Sequence, residues 1–265
     1  MNPLLFKEHE EHLYLYRGRA FLGLRKHRNA IANYQMVLMI DPSNAAAVSA
    51  LWESYAFQGR YHLCDRLSDK LLQTQKNAYS LVLKATTQNH LTRYDKALLY
   101  SQQALDIERD NVHAFTQQAI AYIGKGYYKK GSDVIDRALT KSPDGNPLAL
   151  ATKAYLLSTC PDPSFRNGET ARALALRACK QTDYDFPRYL LVLAQAYAEC
   201  GLYQKAIKYA KQSQTTLRPE EAEPPELQES IKLFEKDKPF RQMLPTMKED
   251  KKGVEEKKKG GEKRE

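Results

Sequence analysis

The chain has 265 residues, 42% of them hydrophobic, and a formal net charge of +9. This composition suits one large domain or a solenoid, and the modest positive charge favours acidic partners only weakly. No apolar stretch is long enough to span a bilayer, and the N-terminus carries acids and histidines where an export signal needs an apolar run. We therefore expect a cytoplasmic protein without a membrane span.

Potential metal-ligating residues are scarce and poorly spaced. The four cysteines, at positions 64, 160, 179 and 200, form no C-x-x-C pair, which argues against a disulfide framework and a metal site. In KEHEEHL (7–13), His9 and His12 share a predicted helix face, but no third ligand follows at a useful spacing. The sequence therefore predicts no metal and no cofactor, and a solvated helix face at 7–13.

A unit of about 34 residues recurs along the chain. Copies begin at Glu11, Ala45, Ala78, Val112 and Pro187, and the first four follow one another at spacings of 33 or 34 residues. When each copy is numbered from its start, small residues recur at positions 8, 20 and 27, and large ones at 4, 7, 11 and 24. This pattern predicts two antiparallel helices per copy, with turns near 25–27, 59–60, 91–93, 125–127, 159–168 and 201–202.

The copy that begins at Val112 shows the pattern in full. Its residues at positions 4, 8, 11, 20, 27 and 32 are Phe115, Ala119, Tyr122, Gly131, Ala138 and Pro143. This pattern resembles that of the tetratricopeptide repeat family. The resemblance implies an all-α fold, a right-handed α-solenoid of stacked antiparallel helix hairpins (a TPR superhelix), because one hairpin cannot bury its own apolar face.

The stretch GKGYYKKGS (124–132) has a second interpretation, as a phosphate-binding loop. Gly126 and Gly131 have the right separation for such a loop, but the residue after Gly131 is Ser132 where the Walker pattern has lysine, and no strand precedes it. At position 20, where Gly131 lies, three of the sister copies carry alanine and the copy that begins at Ala45 carries cysteine. We therefore interpret Gly126 as a turn residue and Gly131 as a close contact between helices.

The fifth unit departs from the period between residues 146 and 187. The extra residues lie in STCPDPSFRNG (158–168), where two prolines exclude a helix. The stretch AYLLSTCPDPSFRNGETARALALRACKQT (154–182), together with LFEKDKPFRQ (233–242), resembles a subset of bacterial tetratricopeptide proteins. For Cys160 we predict a buried structural thiol; a reactive thiol is the alternative, although no base is evident nearby.

We predict three regions. Residues 1–218 form a repeat array of about six helix hairpins, residues 219–245 form a linker and a C-terminal capping helix, and residues 246–265 form a disordered charged tail. In the capping helix, Leu227, Ile231 and Phe234 recur at helical spacing and would cover the last hairpin.

The family resemblance places the binding groove on the first helix of each copy, at positions 2, 5, 9 and 12. We expect a partner protein to contact residues on this face, with Tyr79 and Ile120 as the main anchors. The predicted groove residues are Arg19, Tyr79, Val82, Thr86, Asn89, His113, Thr116, Ile120, Ile123 and Gln195. The carboxylate clamp by which some family members bind chaperone tails is missing, because no three consecutive copies supply its lysine, asparagine and arginine pattern.

The leading functional prediction is a non-enzymatic scaffold that binds a peptide or helix of another protein in a concave groove. One alternative is a basic α-solenoid that binds RNA or another polyanion. Lysine and arginine lie mostly on turns and second helices, which makes nucleic acid the less favoured partner. A further alternative is that the chain is the repeat portion of a larger enzyme.

Overall fold

The computed structural model describes residues 3–142 and 144–242, without the side chains of residues 3–8. Pro143 and the predicted tail at 246–265 lie outside the described residues. Within them the fold is all-α, as predicted, and contains no strand. The thirteen α-helices are α1 (Pro3–Gly23), α2 (His27–Ile40), α3 (Ala45–Phe57), α4 (Tyr61–Thr74), α5 (Ala78–His90), α6 (Tyr94–Ile107), α7 (Val112–Gly124), α8 (Tyr128–Thr140), α9 (Pro147–Thr159), α10 (Gly168–Lys180), α11 (Pro187–Glu199), α12 (Tyr203–Thr216) and α13 (Leu227–Phe234).

The first twelve helices form six consecutive hairpins, from α1 with α2 to α11 with α12. The turns inside the hairpins cover residues 24–26, 58–60, 91–93, 125–127, 160–167 and 200–202, close to the predicted ranges. The longest turn contains a short 3-10 helix, Pro163–Phe165. The predicted hairpin architecture is therefore confirmed.

One turn position has the same backbone conformation in five of the six hairpins. Position 15 of the copies has a positive φ in each case, a conformation that L side chains rarely adopt. The residues are Arg25 (φ 54°), Gly59 (φ 69°), Thr92 (φ 57°), Gly126 (φ 82°) and Gly201 (φ 73°). Gly126 is therefore a turn residue for a conformational reason, as the sequence predicted.

Asparagine side chains cap the first helix of several hairpins. The Asn44 side-chain oxygen accepts a hydrogen bond from the Ala47 amide at 2.8 Å, and Asn77 forms a capping box with Ser80. Asn111 and Asn146 cap α7 and α9 in the same way. Each cap satisfies amide groups that lack a carbonyl partner inside the helix, so these asparagines define where the hairpins start.

The described chain divides into two compact units. Within the described residues, unit 1 comprises positions between 3 and 118 and between 216 and 224, and unit 2 comprises positions between 119 and 215 and between 225 and 242. The core of unit 1 is built around Tyr34, Val37, Trp52 and Leu71, and the Trp52 indole N–H donates to the Thr87 hydroxyl at 2.9 Å. Trp52 is at position 8 of the copy that begins at Ala45, where the repeat pattern has a small residue, and its side chain bridges α3 and α5.

In unit 2, hydrogen bonds and ion pairs hold the loop at residues 160–167 in place. In the 160–167 loop, the Arg166 guanidinium donates to the carbonyl oxygens of Cys160 and Pro161, both at 3.0 Å, and pairs with Glu199 at 3.1 Å. Arg241 pairs with the same Glu199 carboxylate at 2.6 Å. An ion pair to α11 therefore fixes the long turn of the fifth hairpin, and the segment that follows α13 pairs with the same glutamate of α11.

Helix α13 also packs within unit 2. It lies against α11, and Leu227 and Phe234 have no exposed surface. Ser230, between them in sequence, is also fully buried. These contacts explain the spacing of apolar residues in this helix.

Candidate functional site

The two glycines of GKGYYKKGS have their amide groups engaged inside the helical hairpin. The Gly126 N–H donates to the Ile123 carbonyl at 3.0 Å, and the Gly131 N–H donates to the Tyr127 carbonyl at 2.9 Å. A Cβ on Gly131 would lie 2.6 Å from Ile123 Cγ1. Amides used in this way cannot cradle a phosphate, and Gly131 is a packing residue.

The candidate site in unit 1 is the exposed face shared by Tyr79 of α5 and by Ser49 and Glu53 of α3. Tyr79 is 54% exposed, and Ser49 and Glu53 are close enough to its phenol to influence its pKa, which partial burial raises. Ser49 and Glu53 lie one helical turn apart and therefore share a face of α3. We call Tyr79, Ser49 and Glu53 the Tyr79 face.

The electrostatics of this face come from a carboxylate without a counter-ion. Glu53 is exposed to solvent and has no ion-pair partner among the described residues. Partial burial nevertheless raises the pKa of its carboxyl group, because the surrounding helices replace part of its hydration shell. Beneath it, burial raises the pKa of Tyr34 to about 12, with a smaller contribution from Glu53. The Tyr34 hydroxyl has no hydrogen-bond partner within the described residues.

Arg19 contributes the positive charge on this part of unit 1. It lies on α1, is exposed, and its guanidinium carbon is 5.9 Å from the centroid of the Tyr16 ring, which is itself 63% exposed. Among the described residues Arg19 has no carboxylate partner. A free guanidinium beside an exposed aromatic ring suits a polar or aromatic side chain of a partner.

The other predicted groove residues of unit 1 are less accessible. Val82 and Asn89 are each 8% exposed, and Thr116 has no exposed surface. The Asn89 amide donates to both the backbone carbonyl and the side-chain oxygen of Gln117 at 2.9 Å, so it links α5 to α7. Thr86 is half-buried, and His113 is partly exposed. Of these residues, Thr86 and His113 present surface to a partner.

In unit 2, Ile123 and Gln195 are buried and Ile120 is half-buried. Ile123 is 5% exposed and packs with Tyr128, Leu156 and Cys160. Gln195 is 1% exposed, and its amide nitrogen lies 3.4 Å from the Ser230 hydroxyl. Ile123 and Gln195 are packed inside unit 2 and present almost no surface.

The buried cysteines do not offer a nucleophile. Burial raises the pKa of the Cys64 and Cys179 thiols to about 12, and it also raises the pKa of Cys160. A thiol whose pKa is raised stays protonated at neutral pH and reacts slowly. Cys160 thus has the environment of the structural thiol that we predicted from the sequence.

The part of the chain that the structure describes contains no group of three or more His, Cys, Asp or Glu residues that could hold a metal ion. His12 of the histidine pair lies beside Tyr16, with 6.4 Å between the ring centroids. Among the same residues, no helix combines the length and apolar character required to cross a membrane.

Comparison with known proteins identifies the class. Residues 187–215 match the family model described as tetratricopeptide repeat. No curated protein sequence matches the chain.

Three solved structures share the fold over most of the chain. One is from the APC/C hetero-tetramer Cut9-Hcn1, with a TM-score of 0.65 and 12% identity over 84% of this chain and 42% of that chain. A tetratricopeptide repeat protein from Parabacteroides merdae ATCC 43184 has a TM-score of 0.61 and 13% identity over 85% of this chain and 84% of its own. Pseudomonas aeruginosa pilF has a TM-score of 0.54 and 19% identity over 84% of this chain and 97% of its own.

The helical hairpins and the family match together define a tetratricopeptide repeat protein by fold. The copy that begins at Pro187 is the one that the family model matches. Proteins of this class are generally non-catalytic scaffolds, and their repeats typically mediate protein–protein interaction.

Proposed function

We propose that the chain is a non-enzymatic scaffold that binds a peptide or helix of a partner protein on the Tyr79 face of unit 1. The observation that carries this proposal is the exposure of Tyr79. A tyrosine that is 54% exposed on a first helix is an accessible aromatic anchor for a partner.

Two charges of unit 1, both close enough to Tyr34 to influence its pKa, add specificity to this proposal. Glu53 and Arg19 provide one negative and one positive group, and neither has an ion-pair partner within the described residues. A partner segment that carries both a basic and an acidic side chain would complement them. A partly desolvated carboxylate such as Glu53 gains most from a partner cation, because its interaction with water is already reduced.

The distribution of basic residues does not support the polyanion alternative. Many arginines and lysines in the described chain pair with carboxylates of the same chain. These pairs include Arg25–Glu221, Lys84–Asp65, Arg93–Asp65, Lys129–Asp133, Lys153–Asp136, Arg166–Glu199 and Arg241–Glu199. Paired cations contribute little to the field that a phosphate backbone would meet.

The proposal can be tested by selecting binders from a displayed random-peptide library on the wild-type chain. Selected peptides are then measured against Tyr79→Ala and against Leu99→Ala. Leu99 is the matched control, because it is a large side chain that is also 54% exposed but lies on the second helix α6. We expect Tyr79→Ala to weaken binding at least tenfold, which is about 1.4 kcal/mol, and Leu99→Ala to change it less than about twofold.

Two outcomes would contradict the proposal. One is equal binding by the wild-type and Tyr79→Ala chains with retained helicity. The other is selection of acidic peptides alone, with affinity that falls steeply with salt and with Tyr79→Ala binding as well as wild type. That second result would favour polyanion binding.

A further inference from the structure

Residues 216–224 belong to unit 1, although they follow the last hairpin in sequence. The side chain of Glu221 in this segment is only 4% exposed. Its carboxylate accepts hydrogen bonds from both the Nε, at 2.6 Å, and the Nη2 of Arg25, and it lies 3.4 Å from His27 Nε2. This bidentate contact between the guanidinium and the carboxylate is a geometry by which arginine recognises carboxylates specifically.

The neighbours of Glu221 make further directional contacts. The Glu220 carboxylate accepts a hydrogen bond from the Arg28 backbone N–H at 2.7 Å, at the start of α2. The Ala222 backbone N–H donates to the Phe57 carbonyl at 2.9 Å. The N–H groups of the first turn of a helix have no carbonyl partner inside the helix, and Phe57 is the last residue of α3. Residues 220–222 thus dock at the end of a turn, which the hydrogen bond from the Glu221 N–H to the Arg218 carbonyl closes at 3.0 Å.

The surface beneath this segment is built from the turns of the first two hairpins. His27 has no exposed surface and stacks on Phe57, with 4.8 Å between the ring centroids. Its Nδ1 has no hydrogen-bond partner in the described chain. At Gly59 there is no room for a side chain, because a Cβ would lie 2.9 Å from the Ala222 Cβ. We call Arg25, His27, the Arg28 amide and the Phe57 carbonyl the Arg25 site.

We propose that the Arg25 site recognises an acidic Glu-Glu-Ala segment, and that residues 220–222 fill it as an internal lid which an acidic segment of a partner protein displaces. The site offers a guanidinium, an imidazole and an amide donor to two adjacent carboxylates, and a carbonyl to the following amide. The tethered lid competes at a high effective concentration, so the site is closed to weak acidic ligands.

The experiment uses the full chain and a fluorescein-labelled peptide with the sequence TLRPEEAEPP, which is that of residues 216–225. Binding is measured by fluorescence anisotropy for three chains: wild type, Glu220→Ala/Glu221→Ala, and the same double variant with Arg25→Ala added. The control peptide carries glutamine in place of the two adjacent glutamates. Circular dichroism checks that each variant keeps its helicity.

We expect the Glu220→Ala/Glu221→Ala chain to bind the peptide at least tenfold more tightly than wild type. The added Arg25→Ala change should return binding to the wild-type level or below, and the glutamine peptide should bind none of the chains measurably. Equal binding by the wild-type and double-variant chains would overturn the proposal. Equal binding of the glutamate and glutamine peptides would also overturn it.

A measurement on the wild-type chain decides the matter if the double variant does not fold. Hydrogen exchange of the Ala222 amide, which is bonded to the Phe57 carbonyl in the closed state, is followed with and without millimolar unlabelled peptide. We expect the glutamate peptide to accelerate exchange at this amide and the glutamine peptide to leave it unchanged. No acceleration with the glutamate peptide would overturn the proposal, because it would show that an acidic segment does not displace residues 220–222 from the Arg25 site.

Discussion

Gly131 of α8 lies against Ile123 of α7 so closely that a Cβ at position 131 would come within 2.6 Å of Ile123 Cγ1 and 3.3 Å of the Ala119 carbonyl oxygen. At the same place, the copies that begin at Glu11, Ala78 and Pro187 have Ala30, Ala97 and Ala206, all of them fully buried. The fourth hairpin is therefore packed more tightly at this point than the hairpins that carry alanine.

Gly131→Ala should lower the stability of the chain. Overpacking a well-packed contact costs about 1–3 kcal/mol, more than the roughly 1 kcal/mol that alanine gains over glycine inside a helix. Gly23→Ala is the matched control, because a Cβ at this position in the last turn of α1 would have no neighbouring atom within 4 Å. Thermal unfolding should show a lower midpoint for Gly131→Ala and an unchanged or higher midpoint for Gly23→Ala, and the reverse order would contradict the packing role.

Thr92→Gly should raise stability. Thr92 has a φ of 57°, which a β-branched residue adopts only at a cost of about 1–3 kcal/mol. Glycine removes that cost and introduces an entropy penalty of about 0.5–1 kcal/mol, so the net gain should be roughly 1 kcal/mol. Thr92→Ala is the control, because it also loses the hydroxyl but keeps a Cβ. If alanine stabilises as much as glycine in thermal unfolding, backbone strain is not the cause.

Lys84→Ala should destabilise unit 1 by about 2 kcal/mol. The Lys84 side chain is 5% exposed, and its ammonium group lies 2.7 Å from the Asp65 carboxylate and 2.5 Å from that of Asp69. Removing one partner of a buried ion pair lowers the free energy of unfolding by about 3–5 kcal/mol. The loss should be smaller here, because the two aspartates are partly exposed to solvent. Lys129→Ala is the control: its pair with Asp133 is exposed, so its loss should leave the midpoint almost unchanged. Equal unfolding midpoints for Lys84→Ala and Lys129→Ala would show that the ion pairs of Lys84 do not stabilise unit 1 more than an exposed pair does.

The same network predicts a dependence of stability on pH. Burial alone would raise the pKa of Asp65, but hydrogen bonds from Lys84, Gln88 and Arg93 outweigh burial and lower it. A carboxylate whose pKa is lower in the folded chain stabilises the fold above its unfolded pKa, and that stabilisation is lost as the pH falls through the folded value. The difference in midpoint between wild type and Asp65→Asn should therefore shrink below the ordinary aspartate value of 3.8. A difference that stays constant through this range would contradict the assignment.

Thiol labelling of the native chain should be slow and confined to Cys200. Cys64, Cys160 and Cys179 are buried and have raised pKa values, whereas Cys200 is half-buried. Maleimide labelling followed by mass spectrometry should modify Cys200 first, although its pKa is also raised by burial and by Glu169. Cys200→Ser should remove the native-state labelling, and all cysteines should react in denaturant. Early modification of Cys160 would restore the reactive-thiol alternative.

The sequence by itself determined the hairpins and their turns. Contacts inside a hairpin join residues that are near in the chain, so a period of about 34 residues, small side chains at fixed positions and prolines suffice to predict them. Gly126 shows this well, because its role as a turn residue follows from its place in the repeat. The sequence also indicated Tyr79 as an exposed aromatic residue on a first helix, since position 2 of the copy faces away from the partner helix.

Only the tertiary structure decided which residues of the predicted groove keep an exposed surface and where the segment after the last hairpin docks. Ile123 has the repeat position of a groove residue, yet Gly131 leaves a gap that its side chain fills, so burial follows from a neighbour and not from the period. Glu221 meets Arg25 across 196 positions of the chain. No local sequence pattern encodes this pairing, because it depends on residues 216–224, which follow twelve helices in sequence, packing in unit 1.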